Sequence, residues 1–149
     1  MRRRLAVLLA SLAVWAQVWP PVSGEPPAGH DHRHKPKVDH PFDDVEKWVA
    51  VFDAADRDAW QKPAEIPAAI GLKEGMAVAD IGAGTGYLER FFAAAVGPAG
   101  KVYAADIEPK MVAYMTERAV REGTPQVAPI LSLPDDPRLP DAGVDIVFI

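Results

Sequence analysis

From residue 42 onward, apolar positions recur first at helical spacing and then in alternating strand-like and helix-like blocks. In PFDDVEKWVAVFD, Val45, Trp48, Val49 and Phe52 share one helical face, with Asp43 or Asp44 available as the cap. AEIPAAIGL predicts a short helix, limited by Pro67 and ended by Gly71. MAVADI, a short apolar run, predicts a buried strand. GYLERFFAAAVG then turns Leu88, Phe91, Phe92 and Ala95 to an inner helical face, and Gly97-Pro98 stops it. KVYAADI predicts a second strand. EPKMVAYMTERAVREG predicts a helix with Met111, Met115 and Ala119 inward and Gly123 as its stop. QVAPIL is a third strand, PDDPRLPDAG a proline-rich loop and VDIVFI a fourth strand.

Strands alternating with helices imply βαβ units, hence an α/β fold with a doubly wound, mainly parallel sheet and helices on both faces. The chain stops at Ile149, the last apolar residue of what reads as a central strand. Such strands are normally buried between neighbours, so the domain at 42–149 is expected to be the N-terminal portion of a larger one, truncated after its fourth strand. No internal repeat is visible.

The first 41 residues have a different pattern. Arg2, Arg3 and Arg4 precede an uncharged apolar run from Leu5 to Trp19, then Pro20-Pro21 and the small residues Val22-Ser23-Gly24. This predicts a secretory signal peptide over 1–24 and an exported, periplasmic or secreted product. The run is shorter than the about 20 residues of a membrane-spanning helix; an uncleaved N-terminal anchor is the alternative. Residues 25–41 are rich in proline and histidine without apolar periodicity, and read as a flexible arm. Its His30, Asp31, His32, His34 and His40 have ligand chemistry but no rigid frame, so no metal site is assigned; a metal-binding exported protein is a minor alternative.

Composition narrows the chemistry. The chain has 149 residues, 49% of them hydrophobic, which suits one modest domain. Its formal charge is −5 and no basic run occurs beyond the N-terminus, so nucleic acid is not indicated as a partner. Loss of Arg2 to Arg4 with the signal would leave the remainder more acidic still. With no cysteine, disulfides, CxxC redox chemistry and thiolate metal sites are excluded.

The candidate chemistry lies in DIGAGTGY, between the first strand and the helix after it. Glycines in such a turn let the backbone approach a ligand at the strand's carboxyl edge. The dinucleotide fingerprint G-x-G-x-x-G is not met: the spacing is Gly82, Gly84, Gly86, and Tyr87 stands where the third glycine belongs. No Gly-Lys-Ser/Thr follows, which excludes a P-loop. Asp80 places a carboxylate beside the loop, unwelcome to a pyrophosphate but suited to an ammonium group. Asp106 ends the second strand, where an acid can accept both hydroxyls of a ribose. Together they suit an amino-acid end joined to an adenosine-like nucleoside.

VADIGAGTGYL resembles motif I of the class I S-adenosylmethionine-dependent methyltransferases, a Rossmann-like family. VYAADIEPKMV resembles the motif that follows it, and LPDDPRLPDAGVDIVFI the segment through the fourth strand; the likeness covers roughly 64 to 149. The resemblance implies S-adenosyl-L-methionine as cofactor. Asp80, Gly82, Gly84 and Gly86 would line its methionine moiety, with Ala83 and Thr85 in the same loop. Asp106 would hold the ribose, Ile107 would pack on the adenine, and Asp135 would reach the adenine amino group, although the acid stands slightly late after the third strand. RDAWQKP resembles the segment that often covers the cofactor, which implies Trp60 and Gln61 there. By spacing alone Trp48, Phe52 and Trp60 are packing residues.

The activity implied is methyl transfer from the sulfonium to an acceptor that the sequence does not identify, with alignment and exclusion of water as the protein's contribution. No residue of the chain stands out as a catalytic base. The alternative is a truncated, non-catalytic S-adenosylmethionine-binding remnant. An NAD-dependent oxidoreductase is disfavoured by Asp80 and Tyr87.

Overall fold

The computed structural model describes Phe42, Asp44 to Asp141 and residues 143–149. The expected signal peptide, the histidine arm and Asp43 lie outside the described residues. The described residues all belong to one compact unit. Among the described residues no helix is long and apolar enough to cross a membrane.

Three short helices come first: α1 (Val45–Phe52), α2 (Arg57–Gln61) and α3 (Ile66–Ala69). Asp44 caps α1 by accepting the Lys47 N–H, and Phe42, Trp48 and Phe52 form an aromatic cluster on its inner side. Pro67 falls in the first turn of α3, where its missing N–H costs nothing. Then β1 (Ala77–Ile81), α4 (Glu89–Val96), β2 (Lys101–Asp106), α5 (Pro109–Glu122), β3 (Val127–Leu131) and β4 (Ile146–Phe148) alternate. Pro109 opens α5 and Gly123, in the left-handed region, closes it.

The four strands form one sheet in the order β3-β2-β1-β4, and every pairing is parallel. The chain moves outward from β1 to β3, then returns to β1's other side as β4. That reversal opens a crevice at the carboxyl ends of β1 and β4, where open α/β sheets bind their ligands. α4 and α5 pack into one shared core on one face of the sheet, as the usual right-handed crossovers would place them. Of the helices expected on both faces, the described residues supply those on this one; on the other, Tyr103 and Ile130 are half-buried and Val147 is exposed.

The core lies between α4, α5 and this face. Val78, Phe92, Val96, Val102, Ala104 and Met115 are essentially inaccessible, and Phe92 meets Phe148 edge-on with centroids 5.5 Å apart. Leu88 and Phe92 occupy the inner face of α4 as predicted. Val96 and Ala93 complete it, while Phe91 and Ala95 are only half-buried. Gly100 lets the turn before β2 pass this helix closely. A Cβ there would lie 2.4 Å from the Val96 Cβ and 2.6 Å from the Met76 carbonyl oxygen. Asp145 fixes the entry of β4, its carboxylate accepting and its N–H donating to Ala77, both at 2.8 Å.

Candidate functional site

The glycine loop leaves β1 at the crevice. Gly82, Gly84 and Gly86 all have positive φ, so a side chain at any of them is strained. This is the physical content of the x-spaced glycines: alternate residues turn left-handed and the backbone coils against β2. Gly82 and Ala83 both donate to the Ala105 carbonyl, at 2.8 and 3.1 Å. Asp106, on the end of β2, braces the loop from the side. Its Oδ2 accepts the Gly84 N–H at 2.8 Å and its Oδ1 the Glu108 N–H at 2.8 Å. A carboxylate has about four acceptor positions, so two remain for a ligand's hydroxyls.

Two cavities meet at this loop and share Ile81, Gly82 and Ile149. The first, about 220 Å³, is lined on the loop side by Asp80, Ala83, Gly84 and Thr85, and on the other by Phe52, Arg57 and Gln61. The second, about 570 Å³, has Asp106 and Ile107 on one wall and the segment from Ser132 to Pro137 on the other. The sequence-predicted residues Asp80, Gly82, Ala83, Gly84 and Thr85 thus gather in the first cavity, and Asp106, Ile107 and Asp135 in the second. Gly86 lies behind the loop instead, against Met115 and Glu89.

The end of α1 is tied to the glycine loop and α5 by charge. Arg118 of α5, nearly buried, donates through Nη1 to Asp53 Oδ2 (2.6 Å) and to the Thr85 carbonyl (3.1 Å), and through Nε to Glu122 (2.7 Å). Thr85 Oγ1 donates to the other Asp53 oxygen at 2.8 Å. Burial works against the Arg118 charge, but Glu122 and Asp53 outweigh it and hold the guanidinium above its ordinary pKa. Asp53, at the end of α1, is therefore locked to the glycine loop. Next to it Arg57 donates to the Phe52 carbonyl and to Gln61, and its guanidinium lies 3.9 Å above the centroid of Tyr87. The Tyr87 hydroxyl donates to Asp58, which also meets Arg90.

Of the covering pair expected from RDAWQKP, Gln61 lines the first cavity and Trp60 does not; its side chain is 69% exposed. Helical geometry separates them, since adjacent residues on α2 point about 100° apart. Phe52, read as packing alone, does pack within the aromatic cluster and also walls the cavity. Arg57, Asp53 and Arg118 had no signal in the sequence beyond being charges at helical spacing.

Electrostatically the first cavity has an acidic floor. Burial raises the Asp80 carboxyl to a pKa of about 6; the Asp106 charge adds to the rise, while Glu89 and Arg57 pull it down. Glu89, the first residue of α4, is pushed well above the usual carboxylate range by burial and then by Asp80. A dinucleotide's pyrophosphate would seat on this helix N-terminus. Two acids stand there instead. The cavity suits a zwitterion, its ammonium toward Asp80 and its carboxylate toward Arg57.

Comparison with known proteins agrees with this geometry. Residues 78–149 match the family model of a methyltransferase domain. This stretch resembles a methyltransferase domain. A SAM-dependent methyltransferase from Aquifex aeolicus is 35% identical over 70% of this chain, with a TM-score of 0.65; the chain spans 55% of that structure's length. A precorrin-6y C5,15-methyltransferase from Geobacter metallireducens is similar in fold alone, at 19% identity and a TM-score of 0.50 over 58% of this chain and 46% of that one. No curated protein sequence matches the chain. The matched stretch holds the glycine loop and both strand-end acids, Asp80 and Asp106. Among its described residues no group of three or more His, Asp or Glu side chains converges as a metal site.

Proposed function

We propose that this chain binds S-adenosyl-L-methionine and acts in methyl transfer from it. The observation that carries the reading is the pairing of Asp80 and Asp106 across one glycine loop, each on its own cavity. Asp80 and Arg57 would take the amino-acid end, with Gly82, Ala83, Gly84 and Thr85 as the loop beneath it. Asp106 would hold the ribose hydroxyls through its two remaining acceptor positions. Ile107 and Asp135, on opposite sides of the larger cavity, would pack on the base and bond its amino group. The likeness to the Aquifex aeolicus enzyme supports the same cofactor.

When bound, the sulfonium supplies the methyl group and its own leaving group. The chain's residues bind and orient. Asp80 neutralises the ammonium, the Arg118–Asp53–Thr85 lock holds the loop at fixed height, and Phe52 and Leu88 exclude water from the smaller cavity. The acceptor stays unassigned. Export by residues 1–24 is part of the same proposal, supported by Arg2 to Arg4, the run Leu5 to Trp19 and the small residues before Glu25.

Titration calorimetry of the chain with S-adenosylmethionine, S-adenosylhomocysteine and NAD tests the cofactor. The first two should bind and NAD should not; NAD binding without a response to S-adenosylhomocysteine would overturn it. Fractionation of a tagged chain tests export, which predicts a shortened product outside the cytoplasm.

A further inference from the structure

One buried acid has no part in the binding described so far. The Glu89 side chain is 4% exposed, and neither of its carboxyl oxygens meets a hydrogen-bond donor. The group it faces is a second buried acid, Asp80. Two ionised carboxylates have only acceptors to offer each other. They bond when one keeps its proton and donates it. Leaving an ionised carboxylate buried without partners costs several kcal/mol, so protonation is the cheaper state.

The surrounding charges decide which acid keeps the proton. Asp80, on β1, lines the open cavity and has the Arg57 guanidinium of α2 within electrostatic reach, with Asp106 of β2 opposing it. Glu89 faces inward. The cation that acts on it is Arg118 of α5, already shared among Asp53, Glu122 and the Thr85 carbonyl. Its own amide favours ionisation too, but burial and the Asp80 charge outweigh both. The space is also closely fitted: a Cβ at Gly86 would lie 3.2 Å from Glu89 Oε2 and 3.0 Å from Met115 Cγ. The third glycine of the loop thus makes room for this acid rather than for a ligand.

We propose that Glu89 is a positioning residue for the cofactor site: it stays a neutral carboxylic acid and donates a hydrogen bond to Asp80, holding Asp80 as the carboxylate that receives the ligand's ammonium group. The ligand's identity rests on the reading above; the state of the two acids does not. Glutamine at 89 keeps a donor of the same length, whereas leucine removes it. Without the donor, Asp80 holds its proton to higher pH and the ammonium loses its partner.

The test combines three measurements on the full chain, wild type, Glu89→Gln and Glu89→Leu. Carbon-13 NMR of the ligand-free protein reads the Asp80 titration. The midpoint should lie near 6 in the wild type, stay there in Glu89→Gln, and rise by about one unit or more in Glu89→Leu. Infrared spectra at pH 7.5 should show the C=O stretch of a protonated carboxylic acid, lost in Glu89→Gln. Calorimetry with S-adenosylhomocysteine should show affinity falling about tenfold per pH unit below the same midpoint. An absent carboxylic-acid band, or a Glu89→Gln midpoint displaced as far as that of Glu89→Leu, would overturn the proposal, and the first of these needs no leucine variant to fold. A band and shift in place without S-adenosylhomocysteine binding would overturn the cofactor reading and leave the carboxyl pair standing.

Discussion

Arg118 lies 2.6 Å from Asp53, although 65 residues separate them. The same nitrogen donates to the Thr85 carbonyl, so one guanidinium joins α5, the glycine loop and the end of α1. The glycine loop is held from behind and its covering helices are held to it.

Arg118→Met preserves most of the volume and removes all three bonds. Breaking a buried pair costs about 3–5 kcal/mol, but Asp53 and Glu122 are 20% and 25% exposed and can turn to water, so a loss of about 2–3 kcal/mol is expected by urea denaturation. Hydrogen exchange should quicken most over 45–61. A uniform increase across the sheet would mean that the residue only adds stability and does not latch the cover.

Asp106 bonds two backbone N–H groups through separate oxygens. Asp106→Asn keeps one acceptor and turns an N–H₂ toward a donor; Asp106→Ala loses both. Hydrogen bonds to charged groups are worth about 1.5–3 kcal/mol each. Calorimetry should therefore show S-adenosylhomocysteine affinity falling about 100-fold in the alanine variant and by an intermediate factor in asparagine. Equal affinity in all three would remove Asp106 from the site.

Arg57 is the cation lining the smaller cavity. Arg57→Met should weaken S-adenosylhomocysteine by about 10–100-fold, the value of a charge-assisted bond. Binding of 5′-methylthioadenosine, which lacks the amino-acid end, should barely change. If both ligands lose affinity equally, Arg57 supports the fold and does not meet the carboxylate.

These residues mark where the sequence was legible. Strand and helix positions were readable because their signals are local: apolar periodicity, and Gly97 and Gly123 at helix ends. Asp80, the loop glycines and Asp106 were readable because each sits at a strand end. Glu89, Arg118, Asp53 and Arg57 were not. A charge at helical spacing reads as a solvated face, and what buries it comes from 29 or more residues away: Asp58 to Tyr87, Asp53 to Thr85 and Arg118. Gly86 was legible as a loop glycine but not as the residue that makes room for Glu89, because that depends on how α5 packs. Trp60 was assigned to the cover by its segment, and the rotation of α2 turned it outward.

Gly100 and Gly123 separate two reasons for glycine. A Cβ at Gly100 would stand 2.4 Å from Val96 Cβ, with backbone 2.6 Å away on its other side, so neither neighbour yields cheaply. At Gly123 nothing lies within 4 Å and only its φ of +67° opposes a side chain. Gly100→Ala should cost about 3 kcal/mol by overpacking and Gly123→Ala about 1 kcal/mol by backbone strain. Denaturation midpoints of the two variants decide this, and a milder effect at Gly100 would mean that the turn before β2 shifts freely.

The Asp80–Glu89 pair also makes stability depend on pH in an unusual direction. Asp80 has a pKa of about 6 when folded against an ordinary value of 3.8. Its proton therefore binds more tightly in the folded state. The resulting stabilisation is complete below pH 3.8 and is lost as pH rises through 6, on the order of 3 kcal/mol over that window. Glu89, raised well above its ordinary value of 4.5, has the same sign and extends the loss to higher pH. Glu89→Gln cannot ionise, so it escapes the second part. Relative to this variant, the wild type should lose about 1.4 kcal/mol for each pH unit above 4.5 until Glu89 ionises in the folded state. Urea denaturation of both proteins at pH 5, 6.5 and 8 measures the difference directly. A constant gap across the three would mean that Glu89 is ionised in the native state, and that Asp80 draws its charge from Arg57 alone.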